Sequence, residues 1–111
     1  MIHEAALDND PVLSEIVRRV VDGLRPERIY LFGSKARGDE GADSDYDIMV
    51  VVGHAAGPSY RLAQQARSLI WGIGVAADIL VWSREAFDSR LHLKASLPAT
   101  VAREGKLLYT A

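Results

Sequence analysis

Residues 33–47, Gly-Ser-Lys-Ala-Arg-Gly-Asp-Glu-Gly-Ala-Asp-Ser-Asp-Tyr-Asp, form a small-residue and charged stretch between two short apolar runs. Ile29-Tyr30-Leu31-Phe32 precedes it and Ile48-Met49-Val50-Val51-Val52 follows it. β-Branched and aromatic runs of this length read as strands, so the polar stretch is a connection at one end of a sheet. A connection too short for a crossover predicts that the two strands are antiparallel. The second run, 45–52, is almost wholly apolar after Asp47, the pattern of a central strand buried on both faces.

Asp45 and Asp47 are two residues apart on that second strand, so their carboxylates point to one face while Tyr46 and Ile48 point to the other. Two carboxylates about 5 Å apart, at an effective dielectric of about 20, repel by about 3 kcal/mol. Uncompensated, that is a liability in a marginally stable domain. A divalent cation removes it, and hard oxygen ligands suit magnesium or manganese. Residues 75–81 form a third apolar run interrupted by Asp78. If that run lies beside the second strand, three carboxylates come together and can hold two metal ions for phosphoryl displacement, with Asp78 also near enough to take an acceptor proton. Gly33 lets backbone amides approach a triphosphate, the Ser34 hydroxyl can hold its oxygens, and Arg37, with Lys35 beside it, can neutralise departing pyrophosphate.

Two other glycine patterns are set aside on context. Gly33 and Gly38 have the outer spacing of a P-loop, but Asp39 follows where lysine should stand. Gly72-Ile73-Gly74-Val75-Ala76-Ala77 has dinucleotide-fingerprint spacing, yet it precedes a strand instead of following one.

Elsewhere, Asp10-Pro11 reads as an N-cap and first helical position, and Leu13, Ile16, Val17, Val20, Val21 and Leu24 recur at helical spacing. Arg18, Arg19 and Asp22 then occupy a solvated face. Ser34 is expected to cap one helical turn over 35–37, and a helix from 58 or 59 to about 71 carries Tyr60, Ala63, Ala66, Arg67 and Ile70 at helical spacing, ended by Gly72 and Gly74. Ser83 caps a helix to about Leu91, another short helix starts near Pro98 and stops at Gly105, and 106–109 suits an edge strand. Trp71, Trp82, Phe87 and Leu91 are assigned to core or interface packing. His3, His54 and His92 are scattered without metal or catalytic spacing, and His54 suits an exposed loop. The expectation is one α/β (α+β) domain spanning 1–111, a mixed sheet flanked by helices.

The 111 residues leave no room for a separate substrate domain. Without cysteine, neither a disulfide framework nor a thiolate metal site is possible. A net charge of −2 gives no overall attraction for nucleic acid, so a nucleotide is a better ligand than a polymer, and no direct nucleic-acid binding is expected. No apolar run approaches the roughly 18 residues of a membrane span and no signal-peptide pattern opens the chain, so a cytoplasmic location is expected.

The set Gly33-Ser34, Asp45-x-Asp47 and Asp78 resembles the signature of the DNA polymerase β-like nucleotidyltransferase superfamily. The fuller strings Gly-Ser-Lys-Ala-Arg-Gly and Ser-Asp-Tyr-Asp are similar to the minimal nucleotidyltransferases, with Lys35 where arginine is common. The resemblance implies the polymerase β-like fold, with Asp45, Asp47 and Asp78 as magnesium ligands, Gly33 and Ser34 as nucleotide contacts, and ATP as donor. It further implies the antitoxin half of a toxin–antitoxin module. AMP would pass to a tyrosine of a HEPN-family toxin, with which the chain would form a hetero-oligomer. Two other readings remain open: transfer to a small acceptor such as an aminoglycoside, and a non-catalytic module that masks its partner.

Overall fold

Asp10 begins the first helix, α1 (Pro11–Leu24), with its side chain accepting from the amides of Val12 and Leu13, while Pro11 occupies a position where no amide is needed. The computed structural model describes residues 1–7, 9–38, 45–53 and 59–111. Leu13, Ile16, Val17 and Val20 of α1 are buried against the sheet, each contributing about 1.5–3 kcal/mol of apolar burial. Its outer face carries the expected charges, with Glu15 paired to both Arg18 and Arg19. His54 and residues 39–44, including the Ser44 of the acidic string, lie outside the described residues.

The sheet has four strands in the order β3-β2-β1-β4. β1 (Arg28–Phe32) and β2 (Tyr46–Val52) are antiparallel, β2 and β3 (Ala77–Ser83) are parallel, and β4 (Lys106–Thr110) is antiparallel to β1 at the far edge. The mixed sheet is the one expected. The helix α3 (Ser59–Leu69) supplies the crossover that a parallel pair requires. The remaining helices are α2 (Gly33–Arg37), α4 (Arg84–Asp88) and α5 (Leu97–Glu104).

Alternation along β2 separates two cores. Tyr46, Ile48, Val50 and Val52 face α1 and α3, whereas Met49 and Val51 face Phe87 of α4 and Val101 of α5. With helices on both faces, the continuous apolar run is explained.

Several sequence expectations are corrected. α2 begins at Gly33, with Phe32 as its N-cap and no side-chain cap hydrogen bond, so Ser34 lies inside the turn it was expected to cap. α3 ends at Leu69, leaving Trp71 84% exposed, and Tyr60 is 62% exposed despite its helical spacing. β3 starts at Ala77, two residues later than expected, and α4 stops at Asp88, with Ser89 as its C-cap donating to the Glu85 carbonyl and Phe87 as its one buried residue. Leu91 lies in the exposed turn beyond it. Phe87 meets the expectation of core packing, stacked on Tyr30 at 5.5 Å, while half-buried Trp82 packs against that core and lies beneath the Arg90 guanidinium. Among the described residues, no helix is long and apolar enough to cross a membrane.

Candidate active site

The site forms where β1 ends and β2 and β3 begin. In the parallel register Asp47 stands opposite Asp78, and in the antiparallel register Asp47 stands opposite Phe32. Register partners project to the same face of a sheet. Asp47 and Asp78 therefore lie side by side, on the face that Met49 and Leu80 occupy further along. Asp45 sits just ahead of β2, exposed, and is not a strand residue as expected.

The electrostatics bind the three carboxylates into one group. Asp47 is held above the ordinary carboxylate range, chiefly by burial, then by the negative charges of Asp78 and Asp45, and Arg37 opposes the shift. That Asp47 feels all three places Arg37 at the same cluster.

Gly33 faces this group directly. Its φ of +74° is left-handed, and a Cβ there would overlap the Asp47 carboxylate. Glycine is thus required both by backbone conformation and by the close approach of the acid. Gly33 opens α2, which packs against β1, β2 and α5, so Ser34 and Arg37 are carried on a turn anchored to the acidic strand.

A divalent cation suits these residues by charge and donor type: three neighbouring carboxylates are hard oxygen ligands of one sign, a charge that a cation would balance. Among the described residues, no three acidic or histidine side chains are already close enough to hold an ion. The backbone register brings Asp47 and Asp78 side by side, with Asp45 just ahead of β2.

One contact was not legible in the sequence. The Tyr46 hydroxyl donates to Asp10 Oδ2 at 2.7 Å, so the carboxylate that caps α1 also holds the residue between the two site aspartates. Burial, reinforced by Asp10, pushes the Tyr46 hydroxyl up to about 12. Lys35 Nζ lies 4.5 Å from the Tyr46 ring centroid, so it is engaged on the face opposite Asp47 and not at the carboxylates. Tyr46 between two aspartates was visible, but Asp10 is too distant in sequence for spacing to suggest it.

A cavity of about 550 Å³ between Val21, Arg25 and Tyr109 lies at the other end of the sheet and includes none of these carboxylates. The glycines of the rejected dinucleotide pattern occupy the turn before β3.

Comparison with known proteins agrees with this geometry. A family model described as a nucleotidyltransferase domain matches residues 13–99. A protein of Methanocaldococcus jannaschii, named as a candidate protein adenylyltransferase, is 34% identical over 85 residues, covering 77% of this chain and 80% of the relative. A crystal structure of a candidate nucleotidyltransferase from Sulfolobus solfataricus superposes with a TM-score of 0.66 at 24% identity, over 96% of this chain and 85% of the other, a likeness of fold. A toxin–antitoxin structure with AMP-PNP contains a chain that superposes with a TM-score of 0.59 at 25% identity, over 88% of this chain and 73% of the other. The sheet, the paired aspartates and the matched family model together make this chain a member of the nucleotidyltransferase domain family, an enzyme of nucleotidyl transfer.

Proposed function

We propose that residues 1–111 form one Mg²⁺-dependent domain that transfers AMP from ATP to a tyrosine hydroxyl of a HEPN-family toxin, and so acts as that toxin's antitoxin. The observation that carries the reading is the pairing of Asp47 with Asp78, with Asp45 and Gly33 beside them. The adenylyltransferase relative and the toxin–antitoxin likeness support the choice of donor and partner.

In this reading the acceptor oxygen bonds to the α-phosphorus as the bond to pyrophosphate breaks. Asp45, Asp47 and Asp78 would hold Mg²⁺ or Mn²⁺, two ions in the full set, which supply positive charge to the attacking and leaving oxygens. Gly33 lets the triphosphate approach the backbone, and Ser34 and Arg37 hold and neutralise the leaving pyrophosphate. Asp78, exposed at the edge strand, takes the proton released by the acceptor hydroxyl.

The test is to incubate the protein with Mg²⁺ and each nucleoside triphosphate, with and without the product of the adjoining gene, and to weigh both chains by mass spectrometry. A single AMP adduct on the partner is the expected result. Absence of any adduct would overturn adenylyl transfer. A toxin still neutralised by the Asp45→Asn, Asp47→Asn protein would assign inhibition to masking, and an adduct on an aminoglycoside but not on the partner would assign a small acceptor.

A further inference from the structure

α2 has little of its own to hold it in place. It is five residues long, buries none of them, and begins without a capping side chain. An isolated helix of that length does not persist in water, so its position is set by what its residues touch. Ser34 and Arg37, which the adenylyl-transfer reading assigns to the leaving pyrophosphate, are nevertheless carried on it.

Two contacts tie this turn to the first residues of β2, and they fall on opposite faces of that strand. Gly33 abuts the Asp47 carboxylate on one face. On the other, Lys35 Nζ lies 4.5 Å from the centroid of the Tyr46 ring, and Ala36 packs against the core to which Tyr46 belongs. A turn held at one point can swing about it, whereas one held on both sides of a strand cannot.

The Tyr46 ring is itself a fixed seat. It is buried, and its hydroxyl donates to Asp10 Oδ2 at 2.7 Å, while Asp10 Oδ1 accepts from the amides of Val12 and Leu13 at the head of α1. Contacts thus run without a break from α1 through Asp10 and Tyr46 to Lys35, and so to the turn that carries Ser34. A cation within about 6 Å of a ring centroid is attracted by the aromatic face, more strongly where water is partly excluded. Lys35 is half-buried, which meets that condition.

We propose that Lys35 is a positioning residue for nucleotidyl transfer: seated on the Tyr46 ring, it fixes Ser34 and Arg37 in relation to Asp47. This rests on the reading above that Ser34 and Arg37 hold the leaving pyrophosphate, and adds what keeps them in place beside the acidic strand. The two cations of α2 divide the work, Arg37 acting on the Asp47 charge and Lys35 holding the turn. In this role Lys35 touches neither substrate nor metal. Charge grows on the leaving group as the reaction proceeds, so a displaced turn lowers kcat more than it weakens ATP binding.

The test uses the full chain with Lys35→Met, which keeps a long stem and removes the charge, and Lys35→Arg as the conservative variant. With the acceptor that the unsubstituted protein modifies, Lys35→Met should lower kcat by about tenfold while KM for ATP stays within about twofold. Lys35→Arg should keep most of the rate, since a guanidinium also seats on an aromatic face. Lys35→Met is then combined with two changes at Tyr46. With Tyr46→Phe the ring face remains, and kcat should fall by a similar factor; with Tyr46→Leu the face is gone, and no further fall is expected. In the free protein, amide order parameters of residues 33–37 should drop in Lys35→Met and hold in Lys35→Arg. A raised KM for ATP at unchanged kcat, or an equal loss when Tyr46 is leucine, would make Lys35 a direct phosphate contact and overturn the proposal. Unchanged kcat and KM would overturn it too. If the unsubstituted protein modifies no acceptor, the adenylyl-transfer reading fails and the order parameters alone judge the seat: a drop at 33–37 sustains it, and no change removes it.

Discussion

Asp78 stands opposite Asp47 across the parallel β2–β3 pair, two like charges held side by side by backbone register. Their repulsion opposes folding, and a bound cation would relieve it. Asp47 is held above the ordinary carboxylate range by burial first, and then by Asp78 and Asp45. A carboxyl whose folded value is raised contributes stability that is fully present below its unfolded value and is lost as pH rises through the folded one. Asp47→Asn is therefore expected to raise the unfolding temperature of the metal-free protein at pH 7, and the gain should shrink on acidification below the carboxylate range. Mg²⁺ should stabilise the unsubstituted protein and lose most of that effect in the variant. Calorimetry with and without chelator checks both, and a gain independent of pH would contradict the electrostatic account.

Gly33 touches that same carboxylate. Gly33→Ala places a methyl group in a left-handed backbone and against Asp47, costing about 1–2 kcal/mol from conformation alone. Displacing a site carboxylate by even about 1 Å can lower a rate by about 100-fold. The expected outcome is a folded, slightly less stable protein with AMP transfer reduced by at least about tenfold, read by circular dichroism and adduct mass spectrometry.

Tyr46 links the acidic strand to α1. Tyr46→Phe removes a hydrogen bond to a carboxylate and should cost about 1–2 kcal/mol in urea unfolding. Asp10→Ala should cost more, because the helix cap is lost as well, typically about 1 kcal/mol. The double variant should lose less than the sum of the two, since each substitution breaks the same bond.

Phe87 is the only buried residue of α4 and is stacked on Tyr30, with the Arg28 guanidinium 5.3 Å from its ring centroid. Phe87→Ala should destabilise by about 3–5 kcal/mol. Amide exchange should show α4 opening first, since no other buried side chain of that helix attaches it to the sheet.

Features set by local chemistry were legible in the sequence. Asp10-Pro11 and the apolar spacing located α1, the apolar flanks located β1 and β2, and an otherwise unexplained charge at Asp78 predicted the contact with Asp47. What escaped notice depends on partners distant in the chain. β3 begins at Ala77 because its register partner, Tyr46, is where β2 starts, a limit that Val75 and Ala76 do not announce. Trp71 and Tyr60 fit an apolar pattern but lie where the sheet offers nothing to cover them. Lys35 was read toward phosphate because it neighbours Ser34, whereas the turn of α2 carries it to the Tyr46 ring.

The parallel pairing of β2 with β3 also dictates when the proposed site is complete. A polypeptide emerging from the ribosome presents Gly33, Asp45 and Asp47 early, but Asp78 joins them only after α3 has been made and the crossover has closed. Contacts between segments distant in the chain are among the slower ones to form. With Asp78 in its proposed role, chemical competence would arrive with the completed sheet, and an unfinished molecule would not transfer nucleotide to bystanders during synthesis.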